Sequence, residues 1–144
     1  MDTDFEILLN GQQFKKLYEK RSSQITEKYG LHKIEIEILL FLKTEKFDTA
    51  RDIVEGMYVS KGHVSHAIER LTECGYLIGE ADAHDRRCIH LRLTEAAEPV
   101  CQEIMKLRKN LREVLFQGIT VEEKQILEQA AKKVAVNIHK ELEG

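Results

Sequence analysis

Proline is almost missing from this chain of 144 residues, at Pro 1, and glycine is sparse, at Gly 8. With so few backbone breakers, the expected build is rich in helix. No stretch reaches the roughly 18 consecutive apolar residues of a membrane-crossing helix. Met1 to Asn10 also lacks the basic start and apolar block of a signal peptide, so a cytoplasmic location without membrane association is expected. The three cysteines, Cys74, Cys88 and Cys101, are odd in number and widely spaced, which speaks for reduced thiols rather than a disulfide framework. None belongs to a metal motif. His63 and His66 stand one helical turn apart, but no third and fourth ligand lies at sensible spacing, so no metal is expected. The chain has no G-x-S-x-G, phosphate-binding glycine loop, H-E-x-x-H or paired-carboxylate signature. Neither an enzyme nor a cofactor is therefore expected.

Positive charge is not in excess either. The formal net charge is −3, and between Ser60 and Arg92 five cations (Lys61, Arg70, Arg86, Arg87, Arg92) face five acids (Glu69, Glu73, Glu80, Asp82, Asp85). Any nucleic-acid affinity must come from where the fold puts these groups. Four of the six histidines (His63, His66, His84, His90) lie in the same stretch, and their protonation would raise such affinity as pH falls. A hydrophobic share of 42% with 33% charged residues describes a soluble globular chain long enough for one real core.

The most informative stretch is Val59 to Thr94. Val64, Ala67, Ile68 and Leu71 make one apolar stripe on a short helix that Ser60 can cap and Gly75 can stop. The opposite face carries Gly62, Ser65, His66 and Glu69, flanked by His63 and Arg70. Tyr76 and Ile78, then Ile89, Leu91 and Leu93, read as two alternating strands around an exposed turn from Asp82 to Arg87. Small hydrogen-bonding groups on the helix suit base edges in a major groove, and Arg86 and Arg87 on the tip suit a minor groove or phosphates. An ordinary helix-hairpin unit within a small core would show the same local pattern.

The flanks are helical. Phe14, Leu17, Tyr18, Arg21, Ile25 and Tyr29 predict a long first helix begun by Phe5, Leu8 and Leu9 and ended by Gly30. Ile34, Ile36 and Ile38 alternate as in a strand, but the run continues through Leu42 and is better read as a buried helix. Thr49, with Asp52 three residues on, predicts a capped short helix, with Gly56 to Val59 as the turn into Ser60. Thr94 is expected to cap another long helix, in which Pro99 either kinks the helix or marks its true first turn. Gly118 ends it, and Thr120 with Glu123 opens a last helix striped by Leu127, Ala131, Val134, Ile138 and Leu142. So much apolar face on terminal helices predicts a two-fold homodimer, which would set two reading helices about 34–36 Å apart on a near-palindromic duplex.

Leu71, Gly75 and Tyr76, the run Asp85-Arg86-Arg87 and the exit Leu91 to Thr94 resemble the winged-helix domain of the MarR family of bacterial transcriptional regulators. The resemblance implies a mainly α fold with a small β-hairpin wing. Residues 31–94 would form the winged helix-turn-helix DNA-binding domain, and residues 1–30 and 95–144 the helical dimerisation region. It puts Ser60, Lys61, Gly62, His63, Ser65 and His66 at base- and phosphate-contacting positions, Arg87 at the wing tip, and Asp85 as the acid that steadies it. Many members carry Arg where this chain has His66, so the target sequence does not follow. The implied function is a homodimeric regulator, commonly a repressor, that binds an operator and is released by a small, often aromatic, effector. Phe14, Tyr18, Phe41 and Met105 are candidates for effector contact, with core packing as the plainer alternative. Cys88, beside Arg86, Arg87 and His90, is the candidate for a thiol-based redox response, against a plain strand residue. A protein-interaction module without DNA binding is the other alternative.

Overall fold

In the computed structural model, which describes Asp4, Ile7 and residues 11–144, the chain runs α1 (Gly11–Tyr29), α2 (Lys33–Thr44), α3 (Ala50–Met57), α4 (Lys61–Glu73), β1 (Leu77–Ala81), β2 (Ile89–Leu93), α5 (Ala97–Leu115) and α6 (Val121–Glu143). The predicted start of the first helix at Phe5, Leu8 and Leu9 lies outside the described residues. Two compact units emerge, Met1–Lys109 and Asn110–Gly144.

The core of the first unit gathers around α2. Ile36, Ile38, Leu39 and Leu40 are buried there, and Ile53, Val64, Ala67, Leu71, Leu77, Leu91, Val100 and Ile104 are buried with them. Glu35 is buried as well, so α2 is covered on several sides. That explains the strand-like alternation of its isoleucines. A helix enclosed on several faces needs no single apolar stripe.

Local chemistry sets the helix ends. Gly30 and Gly75 take left-handed φ values of 62° and 85°, where a side chain would be strained, and each ends a helix. The N–H of Leu31 then donates to the Thr26 carbonyl at 3.1 Å, and that of Tyr76 to the Leu71 carbonyl at 2.9 Å. Thr49 and Asp52 form the expected reciprocal capping pair of α3. The turn into α4 is shorter than predicted. Gly56 stays inside α3, where an added Cβ would lie 2.7 Å from the Phe41 ring, and Tyr58 ends the helix in the left-handed region. Pro99 sits in the first turn of α5, which begins at Ala97 rather than directly after Thr94. Its missing N–H would have no helical partner there in any case.

β1 and β2 pair antiparallel, with Leu77 opposite Leu93, Gly79 opposite Leu91 and Glu80 opposite His90. Residues directly opposite share a face, so Leu77, Gly79, Leu91 and Leu93 look one way and Ile78 and Arg92 the other. The predicted phase of β1, with Tyr76 and Ile78 inward, is thus shifted by one residue. Leu77 is 2% exposed and Ile78 55% exposed.

In the second unit, the end of α5 and α6 are joined through Gly118, whose φ is 80°, and Thr120 with Glu123 closes a capping box. No residue of α6 is buried. Ile126, Leu127, Val134, Ile138 and Leu142 all stand exposed along it.

The strand phase can be checked by stability. Leu77→Ala is expected to cost about 2–5 kcal/mol in urea unfolding, and Ile78→Ala about 0.5 kcal/mol or less. Equal losses would contradict the observed register.

Candidate nucleic-acid interface

The outward face of α4 is built from its N-terminus. Ser60 caps the helix, its Oγ accepting the His63 N–H at 3.2 Å, which leaves the hydroxyl proton free to donate elsewhere. Val64, Ala67 and Leu71 bury the inner stripe. That burial fixes the rotation of the helix. Lys61, Gly62, His63, Ser65 and His66 are therefore all exposed together on its other side.

Arg70 is put to different use. Its Nε donates to Glu35 Oε2 at 2.6 Å, and its terminal nitrogen donates to Glu35 Oε1 at 3.1 Å and to the Gly30 carbonyl at 2.9 Å. The backbone N–H of His32 adds a third donor to the same carboxylate, at 2.6 Å. Burial opposes the charge on Glu35, yet these hydrogen bonds and the Arg70 charge outweigh it and hold its pKa below the usual carboxylate range. The guanidinium predicted to flank the reading face thus anchors α4 to the end of α1 and the start of α2.

The wing tip is shaped by two aspartates. Asp82 Oδ2 accepts the N–H groups of His84 at 2.9 Å and Asp85 at 3.0 Å, and the Asp82 N–H donates to the Cys88 carbonyl at 2.8 Å. Asp85 Oδ1 accepts the Arg87 N–H at 3.0 Å and lies 3.6 Å from the Arg87 Nε. Arg86 is exposed, and the Arg87 side chain is 95% exposed. Both cations stand clear of the hairpin.

Asp48, which carried no sequence signal, braces the wing from the loop before α3. Its carbonyl accepts the Leu91 N–H at 2.8 Å, and its carboxylate pairs with Arg92 at 3.0 Å and His90 at 2.7 Å. The second ring nitrogen of His90 lies 2.7 Å from Asp82. These carboxylates raise the pKa of His90. They also change the expected setting of Cys88. Burial, followed by Asp82, Asp85, Asp48 and Asp52, pushes that thiol up, opposite to the thiolate-stabilising effect expected from Arg86 and Arg87. Among the described residues, no three His, Cys, Asp or Glu side chains gather as a metal site would require.

Of the four effector candidates, the structure brings Phe14 and Tyr18 together, their rings stacked at 6.1 Å. The Tyr18 hydroxyl donates to Glu37 at 3.0 Å and accepts from Arg108 at 2.8 Å, while Arg108 also pairs with Glu37. Burial and the Glu37 charge push Tyr18 up to about 12 against the opposing Arg108, so it remains a neutral phenol. Phe41 faces Gly56 of α3 instead, and Met105 lies partly exposed on α5.

A capped helix with a polar outer face, a braced hairpin and two outward arginines make up a winged-helix arrangement. Residues 31–97 match the family model described as a winged helix DNA-binding domain. The chain is 23% identical over 122 residues to YkoM of Bacillus subtilis strain 168, an uncharacterized HTH-type transcriptional regulator, covering 85% of this chain and 79% of that one. It is 28% identical over 75 residues to the transcriptional repressor MprA of Escherichia coli K12, covering 52% of this chain and 43% of MprA. A MarR protein from Peptoclostridium difficile superposes with a TM-score of 0.82 at 20% identity, over 98% of this chain and 91% of that one. Residues 31–97 belong to the winged helix DNA-binding domain family, and the chain as a whole has the fold of the solved MarR protein.

Two outcomes follow from these contacts. Arg70→Ala is expected to lower the melting temperature by several degrees at neutral pH, because it strands the Glu35 carboxylate. Glu35 has a depressed pKa, so its contribution is present above the ordinary carboxylate range and lost as pH falls through the lower folded value. The deficit of Arg70→Ala should therefore shrink in acid, and a pH-independent deficit would remove the ion pair as its cause. Peroxide treatment is expected to leave DNA affinity within about twofold of the untreated protein, since the Cys88 thiol is held protonated.

Proposed function

We propose that this regulator acts as a homodimeric repressor, holding a near-palindromic DNA operator until a small-molecule effector releases it. The observation that carries the reading is the pairing of an exposed polar face on α4 with a braced wing that holds Arg86 and Arg87 in solvent. Ser60, Lys61, Gly62, His63, Ser65 and His66 would meet bases and phosphates in the major groove, while Arg87, oriented by Asp85, and Arg86 would reach the neighbouring minor groove or its phosphates. Arg70 would act behind this surface by setting the angle of α4. A DNA target places the protein's work in the cytoplasm, and binding rather than catalysis is its activity.

Residues 31–94 would do the reading and residues 1–30 and 95–144 the pairing. The exposed apolar residues of α6 support that division, since a second copy would cover them in a two-fold arrangement. The name of MprA, a transcriptional repressor, supports repression as the sign of control. Phe14, stacked on Tyr18, and Met105 each carry exposed apolar surface and would contact an aromatic effector. Release would follow from a dimer geometry in which the two reading helices no longer match the groove spacing.

The test is a fluorescence titration of the duplex that spans the region upstream of the protein's own gene, at two salt concentrations and with non-specific DNA as competitor. Saturable binding by two protomers, weakening steeply with salt, is expected. Arg87→Ala should weaken it by about 1–3 kcal/mol. A folded protein with no saturable DNA binding at low salt would overturn the reading.

A further inference from the structure

We propose that His90 is a positioning residue for DNA binding: as an imidazolium held between Asp48 and Asp82, it ties the wing turn to the loop before α3 and so sets where Arg86 and Arg87 stand. This rests on the DNA-binding reading above. The geometry is specific. Nδ1 lies 2.7 Å from Asp48 Oδ1 and Nε2 lies 2.7 Å from Asp82 Oδ1. An ionised carboxylate only accepts hydrogen bonds, and a neutral imidazole carries one N–H. Only the protonated ring satisfies both partners at once.

Each partner has a second task that carries the constraint outward. The other oxygen of Asp82 holds the backbone of His84 and Asp85, the turn that leads directly into the two arginines. The other oxygen of Asp48 holds Arg92, and its carbonyl holds the Leu91 N–H. His90 therefore joins two anchored ends. The charged and titratable groups around it are Asp48 from the loop before α3, Asp82 from the wing turn, Glu80 opposite on β1, and Arg92 and Cys88 nearby in the chain. Three carboxylates against one guanidinium favour the imidazolium.

The sign of the pH effect follows. The folded pKa of His90 lies above the ordinary 6.5, so the clamp is complete below that value and is lost as pH rises through the raised one. On deprotonation, one ring nitrogen presents a lone pair to a carboxylate, and the contact becomes repulsive. The wing turn then loses its link through His90 to Asp48, while the Leu91 and Arg92 contacts to Asp48 persist. His63, His66 and His84 lie in the same stretch of chain, so only a comparison of variants isolates His90.

The experiment combines amide hydrogen exchange of the wing in the free protein with titration of the same upstream duplex at fixed salt. Both are run at about pH 6 and about pH 9, with exchange corrected for its intrinsic pH dependence. Wild type is compared with His90→Gln, which cannot titrate, and with His90→Arg, which keeps two-sided donors and charge at both pH values. Wild-type wing protection should fall at the higher pH, with DNA affinity dropping about tenfold more than in His90→Gln. His90→Arg should keep its protection and lose that part of the pH dependence. Wild-type protection and an unchanged pH profile in His90→Gln would overturn the proposal. Pinned wings with no saturable DNA binding by any form would instead overturn the functional reading, and the exchange data would then judge the clamp alone.

Discussion

A carboxylate buried at the start of α2 governs how α4 is held. Glu35 is 1% exposed, and a charge so placed is tolerable only with its oxygens satisfied. Its partners come from separate parts of the chain: the His32 backbone, which makes it a helix cap, and Arg70 near the end of α4. The same guanidinium reaches the Gly30 carbonyl at the left-handed turn that closes α1. One satisfied charge thus sets three elements relative to each other. The buried stripe of α4 fixes its rotation, and the fork on Glu35 fixes the position of its far end.

The charge balance of the region is resolved by the same means. Between Ser60 and Arg92 cations and acids are equal in number, yet they are not equally available. Arg70 is engaged by Glu35, and Arg92 by Asp48 and Glu80. Asp82 and Asp85 are spent on the backbone of the wing turn. Three cations, Lys61, Arg86 and Arg87, remain exposed against two acids, Glu69 and Glu73. A chain with net negative charge can in this way present a locally positive edge to phosphates, because burial and hydrogen bonding sort charges that composition only counts.

The reading and wing elements were legible because their signals are local. Ser60 before an apolar stripe, Gly75 after it, and the capping pairs at Thr49 and Thr120 each act within one helical turn, and all occur where the sequence pattern predicts them. The phase of β1 was not legible. Tyr76, Leu77 and Ile78 are all apolar, so alternation alone cannot choose which side faces the core, and the pairing with β2 decides it. The end of α3 was misplaced for a similar reason. Gly56 looks like a turn residue until the Phe41 ring, 15 positions earlier in the chain, is seen to need the space a side chain would take.

The sequence by itself determined the element types, the caps at Thr49, Ser60 and Thr120 and the polar character of the α4 face, since each depends on neighbours within a few residues. Tertiary structure alone decided the electrostatic roles. Arg70 meets Glu35, Tyr18 meets Arg108 and His90 meets Asp48 across 35, 90 and 42 positions of chain. It also reversed the expected effect on Cys88, whose sequence neighbours are arginines but whose spatial neighbours include four aspartates. Coulombic and hydrogen-bond energies depend on distance through space, and at these separations the order of residues along the chain does not carry that distance.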